Sequence, residues 1–349
     1  MTLKLSALNN GTKEKLMSDP THAVVDLDAF KYAAAYVGEK KSIRVVHKTE
    51  DWSEEFKSRT AFYGHWKKKA GGALAELNKE RDSPWSVDEF DIEDISTPEP
   101  IQNVLHTAKV MVDDILAQSG AKSYEMYMGK GDSQRVEWST LLKYKGNRDN
   151  LVKPFHLDEV TNYLERRYKA EIITDREADD MCVIRAYKQA NNFVIGEDKD
   201  YWGSPVKYYD INRTHRGIVN CDKLGTLFKD DKKIVRGEGR IHLYYQIISQ
   251  DDVDNYKANC FSDVEWGSVS AFNTLVDCRT DKECFEAMVH TFKHLYPEKK
   301  VVTGWRGDEI EIDWLYVFQE MFDMAHMQRT LTDPRVNVKA ALDKMGVAY

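Results

Sequence analysis

From residue 23 onward, short apolar runs that end in an acid alternate with stretches of helical periodicity. AVVDL at 23 to 27 reads as a buried strand with Asp26 and Asp28 at its far end, and AFKYAAAYV at 29 to 37 as a helix close-packed through its alanines. Residues 101 to 118 keep Ile101, Val104, Leu105, Ala108, Val112, Ile115 and Leu116 on one face, with Pro100 at the start and Gly120 past the end, which predicts a helix. A strand at 124 to 128, a helix at 157 to 168, the strand EIIT, a helix through DDMCVIRAY, the strand FVIG at 193 to 196 and the strand PVKYYDI follow in order. Thr174 and Glu177 stand at capping-box spacing before the helix that contains Asp179 and Asp180. RIHLYYQIISQ at 240 to 250, VSAFNTLV, DKECFEAMVHTFKHLY and IDWLYVFQEMFDMAHMQRTL read as helices. Strand, acid, helix in repetition predicts an α/β fold, a twisted and mostly parallel sheet flanked by helices, with a helical C-terminal region.

One segment breaks this rhythm. Between about 47 and 105 the chain turns charge-rich and Trp-bearing and then passes through the acidic, Pro-bearing link DEFDIEDISTPEP. We read it as a helical excursion broken at Gly71 and Gly72, within an α/β core of residues 1 to 250, and residues 251 to 349 as a separate helical region. The 349 residues suffice for one large domain or two modest ones. The chain lacks an apolar run of about 18 residues, and the first residues lack the apolar core of a signal peptide, so a cytoplasmic monomer without membrane contact is the expectation. The five cysteines are scattered and lack paired zinc-site spacing, so reduced, structural thiols are expected.

The chemistry concentrates in acids. Glu177, Asp179, Asp180, Asp198 and Asp200 form two tight clusters, each behind a short apolar run, and Asp132, Asp251 and Asp254 follow other predicted elements. Crowded carboxylates either raise one another's pKa or are neutralised by a bound cation, and hard divalent ions take oxygen ligands of this kind. In doubly wound sheets such residues converge at the carboxyl ends of the strands. No convincing Ser/His/Asp or Cys/His set competes, and His290 and His294, four apart, lack a third ligand. The net charge of −8 argues against a protein that coats nucleic acid through its overall field, which gives local basic stretches more weight: WKKK with Lys67 and Lys68, KYKGNR with Lys143, Lys145 and Arg148, RRYK at 166 to 169, and KKIVRGEGR at 232 to 240.

In order, VVD at 24 to 26, YKGNR at 144 to 148, EADD at 177 to 180, DKD at 198 to 200 and DxxDN at 251 to 255 resemble the 5′-nuclease family of phage 5′-to-3′ exonucleases, flap endonucleases and the nuclease domain of bacterial DNA polymerase I. The resemblance spans Asp26 to Asn255 and implies a PIN/5′-nuclease-like core. By that likeness Asp26, Glu177 and Asp179 would hold one metal ion and Asp198, Asp200 and Asp251 a second, with Asp132 as the nearest candidate for a further acidic ligand and Asp254 in support. Lys145, Arg148 and Asp180 would be catalytic, and Lys143, Lys67 and Lys68 would join Lys145 and Arg148 in nucleic-acid binding. The implied activity is Mg²⁺-dependent 5′-to-3′ exonuclease and flap endonuclease cleavage of DNA 5′ ends, flaps and junctions, with two Mg²⁺ ions that Mn²⁺ would replace, in phage replication or recombination. RNA–DNA primers as the substrate, or a catalytically silent DNA-junction binder, are the alternatives.

Overall fold

A computed structural model describes residues 20–65, 70–149, 151–332 and 335–349. The chain forms two compact units, one from the chain up to Ala29 with Val112–Val152 and Glu165–Tyr349, the other from Phe30–Met111 and Lys153–Leu164. In the first unit six strands make one sheet: β1 (His22–Asp26), β2 (Ser123–Gly129), β3 (Glu171–Ile173), β4 (Asn192–Gly196), β5 (Lys207–Asp210) and β6 (Val219–Asn220). Their spatial order is β6-β5-β4-β1-β2-β3, all parallel except β6, which runs antiparallel to β5. The expected α/β fold with a mostly parallel sheet is present.

Why these runs become central strands follows from their burial. β4 is buried at every position, and Ala23, Val24 and Val25 of β1 are fully inaccessible, as a parallel sheet covered on both faces requires. The register pairs Val25 with Met126 on one side and Ile195 on the other, so the strands end together. The chain adds β2 and β3 on one side of β1, then returns to place β4 and β5 on the other. This reversal puts a crevice at the carboxyl ends of β1 and β4, where ligands of open α/β sheets bind.

Helix α1 (Asp28–Val37) leaves β1, α2 (Gln134–Trp138) follows β2, and α3 (Ala178–Lys188) stands between β3 and β4. The Thr174–Glu177 capping box is not formed: Glu177 is itself the N-cap residue of α3 and makes no capping bond, because other groups take its carboxylate. The C-terminal region carries α4 (Arg240–Ile248), α5 (Ser268–Leu275), α6 (Asp281–Leu295), α7 (Trp314–Ala325) and α8 (Val338–Met345). They close around Ile247, Met288, Phe292 and Phe318, a core that Leu141 and Tyr144 also enter. Within this largely helical region a hairpin pairs Lys300–Thr303 with Glu309–Ile312, and another pairs Thr226–Lys229 with Val235–Glu238 just before α4. Neither hairpin is expected from the sequence reading. Among the described residues no helix is long and apolar enough to cross a membrane.

The second unit corrects the expected helical excursion. Ser53–Phe56, Glu39–His47 and Phe90–Pro98 form an antiparallel sheet, and among the described residues between Phe56 and Phe90 the α-helices are five-residue pieces at Arg59–Tyr63 and Ala73–Leu77. Alternation explains it: Ile43, Val45 and His47 on one strand, and Phe90 with Ile92 on its neighbour, turn to a core of Phe62, Leu74 and Trp85 while the acids between them stay in water. Aromatic rings supply most of that core, with Phe62 touching Phe56, Tyr63 and Phe90 at centroid distances of 4.8–5.0 Å. Phe62→Ala should therefore cost this unit about 3–5 kcal/mol. Amide hydrogen exchange along Glu39–His47 and Phe90–Pro98 checks it: unchanged protection would show that the ring does not carry the core.

Candidate active site

The acids reach the crevice from four segments of the chain. Asp26 ends β1, Glu177 precedes α3, Asp179 and Asp180 form its first turn, and Asp198 and Asp200 follow β4. Asp251 and Asp254 come from the loop after α4. Local geometry fixes several of them. Asp26 Oδ1 accepts from the Asp28 amide at 3.0 Å, Asp198 Oδ1 from the Asp200 amide at 2.8 Å, and Asp251 Oδ1 from the Val253 amide at 3.0 Å. Tyr201 donates its hydroxyl to Asp26 Oδ2 at 3.1 Å, and Gly196 is what lets the ring pass, since a Cβ there would lie 2.7 Å from it.

The cations come from three segments: the YKGNR loop, the turn after β4 that carries Lys199, and α2 with Arg135. Lys145, with φ of +55°, sits in the left-handed region that non-glycine residues seldom occupy. Its amide donates to the Asp254 carbonyl at 3.0 Å, Arg148 Nε donates to the Val253 carbonyl at 3.2 Å, and Asn255 Nδ2 donates to the Lys143 carbonyl at 2.8 Å. One backbone-to-backbone bond and two side chain-to-backbone bonds thus join the YKGNR and DxxDN segments. The C-terminal core holds the first of them from behind: Glu320 of α7 accepts from the Thr140 and Leu141 amides at 2.9 and 2.8 Å, and Arg306 on the Lys300–Ile312 hairpin donates to the Ser139 carbonyl at 2.7 Å. Tyr144 buries its ring in that core while its hydroxyl bridges Glu177 at 3.0 Å and Asp254 at 3.2 Å.

Lys145 forms an ion pair with Glu177 and stands 3.7 Å from Asp254, Arg148 pairs with Asp254 at 2.9 Å, and Lys199 pairs with Asp251 at 2.5 Å. Lys143 pairs with Asp149 at 2.5 Å beside this loop and lies over the Trp305 ring. Lys67 and Lys68 lie outside the described residues. Asp132 is exposed on the turn after β2. What that segment sends into the site instead is Arg135, one turn further on, whose side chain is 3 % exposed and binds Glu177 and Asp180. The sequence reading missed Arg135: in a polar, basic stretch nothing but the tertiary pairing sets it apart.

The carboxylates Asp26, Asp28, Glu177, Asp179, Asp180, Asp198, Asp200, Asp251 and Asp254 outnumber Arg135, Lys145, Arg148 and Lys199, and the acids respond. Burial first, then Glu177 and Asp180, push the Asp179 carboxyl well above its ordinary range. Burial and Asp198 do the same to Asp200, and burial with Asp251 and Glu177 raises Asp254 against the pull of Lys145. Glu177 goes the other way: burial opposes ionisation, but Lys145 and Arg135 outweigh it. Glu177, Asp179 and Asp180 each offer an oxygen within 4.8 Å of the others. An all-oxygen, under-neutralised donor set of this kind fits a hard divalent cation such as Mg²⁺.

No family model matches the sequence, and no curated protein matches it. Among solved structures the chain is similar to a mutant of the T5 5′-exonuclease, at 12% identity and a TM-score of 0.36, covering 63% of this chain and 78% of that one. It is also similar to a T5 protein co-crystallised with metal ions, at 17% identity and a TM-score of 0.35 over 52% of this chain and 71% of that one. A third is a bacteriophage T5 flap endonuclease in a pseudo-enzyme-product complex with DNA and metal ions, at 14% identity and a TM-score of 0.30 over 63% and 90%.

Asp26 supplies a test of the charge crowding. Burial, then Asp28 and Asp198, push it up to about 7. Between its ordinary 3.8 and about 7 the folded chain keeps a proton that the unfolded chain has released, so this group's contribution to stability is full below about 4 and lost as pH rises to about 7. His242, pushed down to about 3 by burial and by Lys199, acts in the opposite sense over the same range, so the readout must be a difference between variants. In EDTA, Asp26→Asn should match the wild type in thermal stability near pH 4 and exceed it near pH 7. A gap that does not change with pH would contradict the crowding.

Proposed function

We infer that this chain is a divalent-metal-dependent 5′ nuclease that hydrolyses DNA phosphodiesters at 5′ ends and flaps. The observation that carries this reading is the convergence of buried carboxylates at the β1/β4 crevice directly beneath Lys145 and Arg148. The order of the motifs from Asp26 to Asn255 supports the same reading.

Asp26, Glu177 and Asp179 would hold one Mg²⁺, and Asp198, Asp200 and Asp251 a second. Bound there, the ions would supply a nucleophilic hydroxide and charge stabilisation for in-line displacement at phosphorus. The protein's own part is positional and electrostatic. Lys145 is pinned through its backbone to the Asp254 loop, while its ammonium, held up by Glu177 and Asp254 against the effect of burial, stays charged across the working pH range. With Glu177 serving as a metal ligand, that ammonium would be free to pair with a phosphate and would meet the negative charge of the transition state there. Arg148, on the exposed side of the same loop, offers a planar fork of N–H donors to the neighbouring phosphate. Tyr144 holds Glu177 and Asp254 at a set separation through one hydroxyl.

Incubating a 5′-flap duplex with Mg²⁺ or with EDTA tests this directly. Metal-dependent cleavage by the wild type, reduced roughly 100-fold or more in Asp200→Asn, is the expected outcome. Tight flap binding without turnover at any Mg²⁺ or Mn²⁺ concentration would instead make the chain a silent junction binder, and faster cleavage of an RNA–DNA strand would make it a primer-removing enzyme. Lys145→Ala should lower the single-turnover rate roughly 100-fold while weakening DNA binding far less. Equal losses in both would remove Lys145 from the chemistry. Binding should also weaken steeply with salt despite the acidic net charge, because phosphate contacts release counterions.

A further inference from the structure

We propose that Arg135 is a positioning residue: a resident cation that keeps Asp180 out of the metal's coordination shell and turns Glu177 so that one of its two oxygens is reserved for the ion. The proposal rests on the metal-dependent reading above and concerns which carboxylates serve the ion.

Arg135 is 2% exposed and sits at the centre of the cluster, where burying a guanidinium costs free energy unless its donors are matched. Its four Nη protons are matched on three sides, while Nε finds no partner among the described residues. Nη1 donates to Asp180 Oδ2 at 2.7 Å and to Glu177 Oε2 at 2.5 Å, while Nη2 donates to Asp180 Oδ1 at 2.9 Å and to the His326 carbonyl at 3.0 Å. Asp180, with no exposed surface, is occupied at both oxygens: Oδ1 also accepts the Gln328 amide at 2.8 Å, and Oδ2 accepts Gln134 Nε2 at 3.0 Å. A carboxylate in a bidentate fork with two further donors has little left for a cation. Asp180 is therefore a partner of Arg135 although it lies within ligand distance of Glu177 and Asp179.

Glu177 is divided differently. Its Oε2 takes Arg135 and Tyr144, both buried, whereas Oε1 takes only Lys145, whose side chain is 27% exposed and can leave. The fixed cation thus claims one oxygen and the exchangeable cation holds the other until an ion replaces it. Because Arg135 also binds the carbonyl just past α7, and the Gln328 amide binds Asp180, the orientation of the pair is set by the C-terminal helical region.

The test is Mn²⁺ binding to metal-free protein without DNA, followed by calorimetry and by the electron paramagnetic resonance of free Mn²⁺, on the wild type, Asp180→Asn, Arg135→Met and the double variant. Asp180→Asn should keep the wild-type affinity within threefold, since a carboxylate already spoken for is not a ligand. Arg135→Met, which sets Asp180 free, should bind Mn²⁺ at least tenfold more tightly or take up an additional ion, and adding Asp180→Asn to it should return the affinity to within threefold of the wild type. A tenfold loss in Asp180→Asn would overturn the proposal, as would wild-type affinity in folded Arg135→Met. If Arg135→Met does not fold by circular dichroism, Asp180→Asn and the charge-balanced double variant decide the matter alone. Wild-type protein that binds no Mn²⁺ would overturn the metal reading itself, and wild-type protein that binds Mn²⁺ without cutting DNA would overturn only the nuclease reading.

Discussion

Carboxylates packed at the mouth of one sheet repel each other, and two unit charges 4 Å apart still interact by about 4 kcal/mol in a medium of effective dielectric near 20. That repulsion is the constraint around which the first unit is arranged. Asp26, Asp179, Asp200 and Asp254 answer it by holding protons more tightly than usual, while Glu177 escapes because Lys145 and Arg135 lie against it. The compensating cations divide into two kinds. Arg135 is buried and bound through both Nη atoms, whereas Lys145, Arg148 and Lys199 reach in from partly exposed positions.

Holding such a site together requires stability from elsewhere. The parallel strands β1 and β4 supply it below, with Val24, Val25, Val194 and Ile195 fully buried, and the C-terminal helices supply it behind. Those helices do more than add apolar area. Glu320 clamps the backbone at Thr140 and Leu141, Tyr144 is drawn into their core, and the loop between ends in Lys145 with its left-handed backbone pinned to Asp254. Placement of the ammonium is thus a consequence of helix packing on one side and of the DxxDN turn on the other.

Much of this was legible beforehand, and the misses share a cause. The strands at 23 to 27, 124 to 128 and 193 to 196 and the helices at 101 to 118 and 157 to 168 stand close to their expected bounds, because each has an apolar period that its environment uses. The sheet of the second unit was missed because its alternation is carried by a few aromatic and branched residues among many acids, so that DEFDIEDIS reads as a charged link until a facing strand is supplied. The capping box at Thr174 was misread because Glu177 has the right spacing for a helix N-terminus but finds stronger partners in Lys145, Arg135 and Tyr144. Asp132, singled out for its place behind a strand, stands exposed on the turn after β2.

By itself, the amino-acid order determined the alternation of strands and helices, the acids at the strand ends and the presence of two basic residues in YKGNR, since hydrophobic period and local charge are written residue by residue. Only the tertiary structure decided which acids are paired with which cations. Arg135 and Asp180 are 45 positions apart in sequence, and Lys145 and Asp254 more than twice that, so their pairing exists only after the sheet order and the C-terminal helices have brought them within hydrogen-bond reach. Charge neutralisation depends on distance in space, and distance in space is what a linear pattern does not contain.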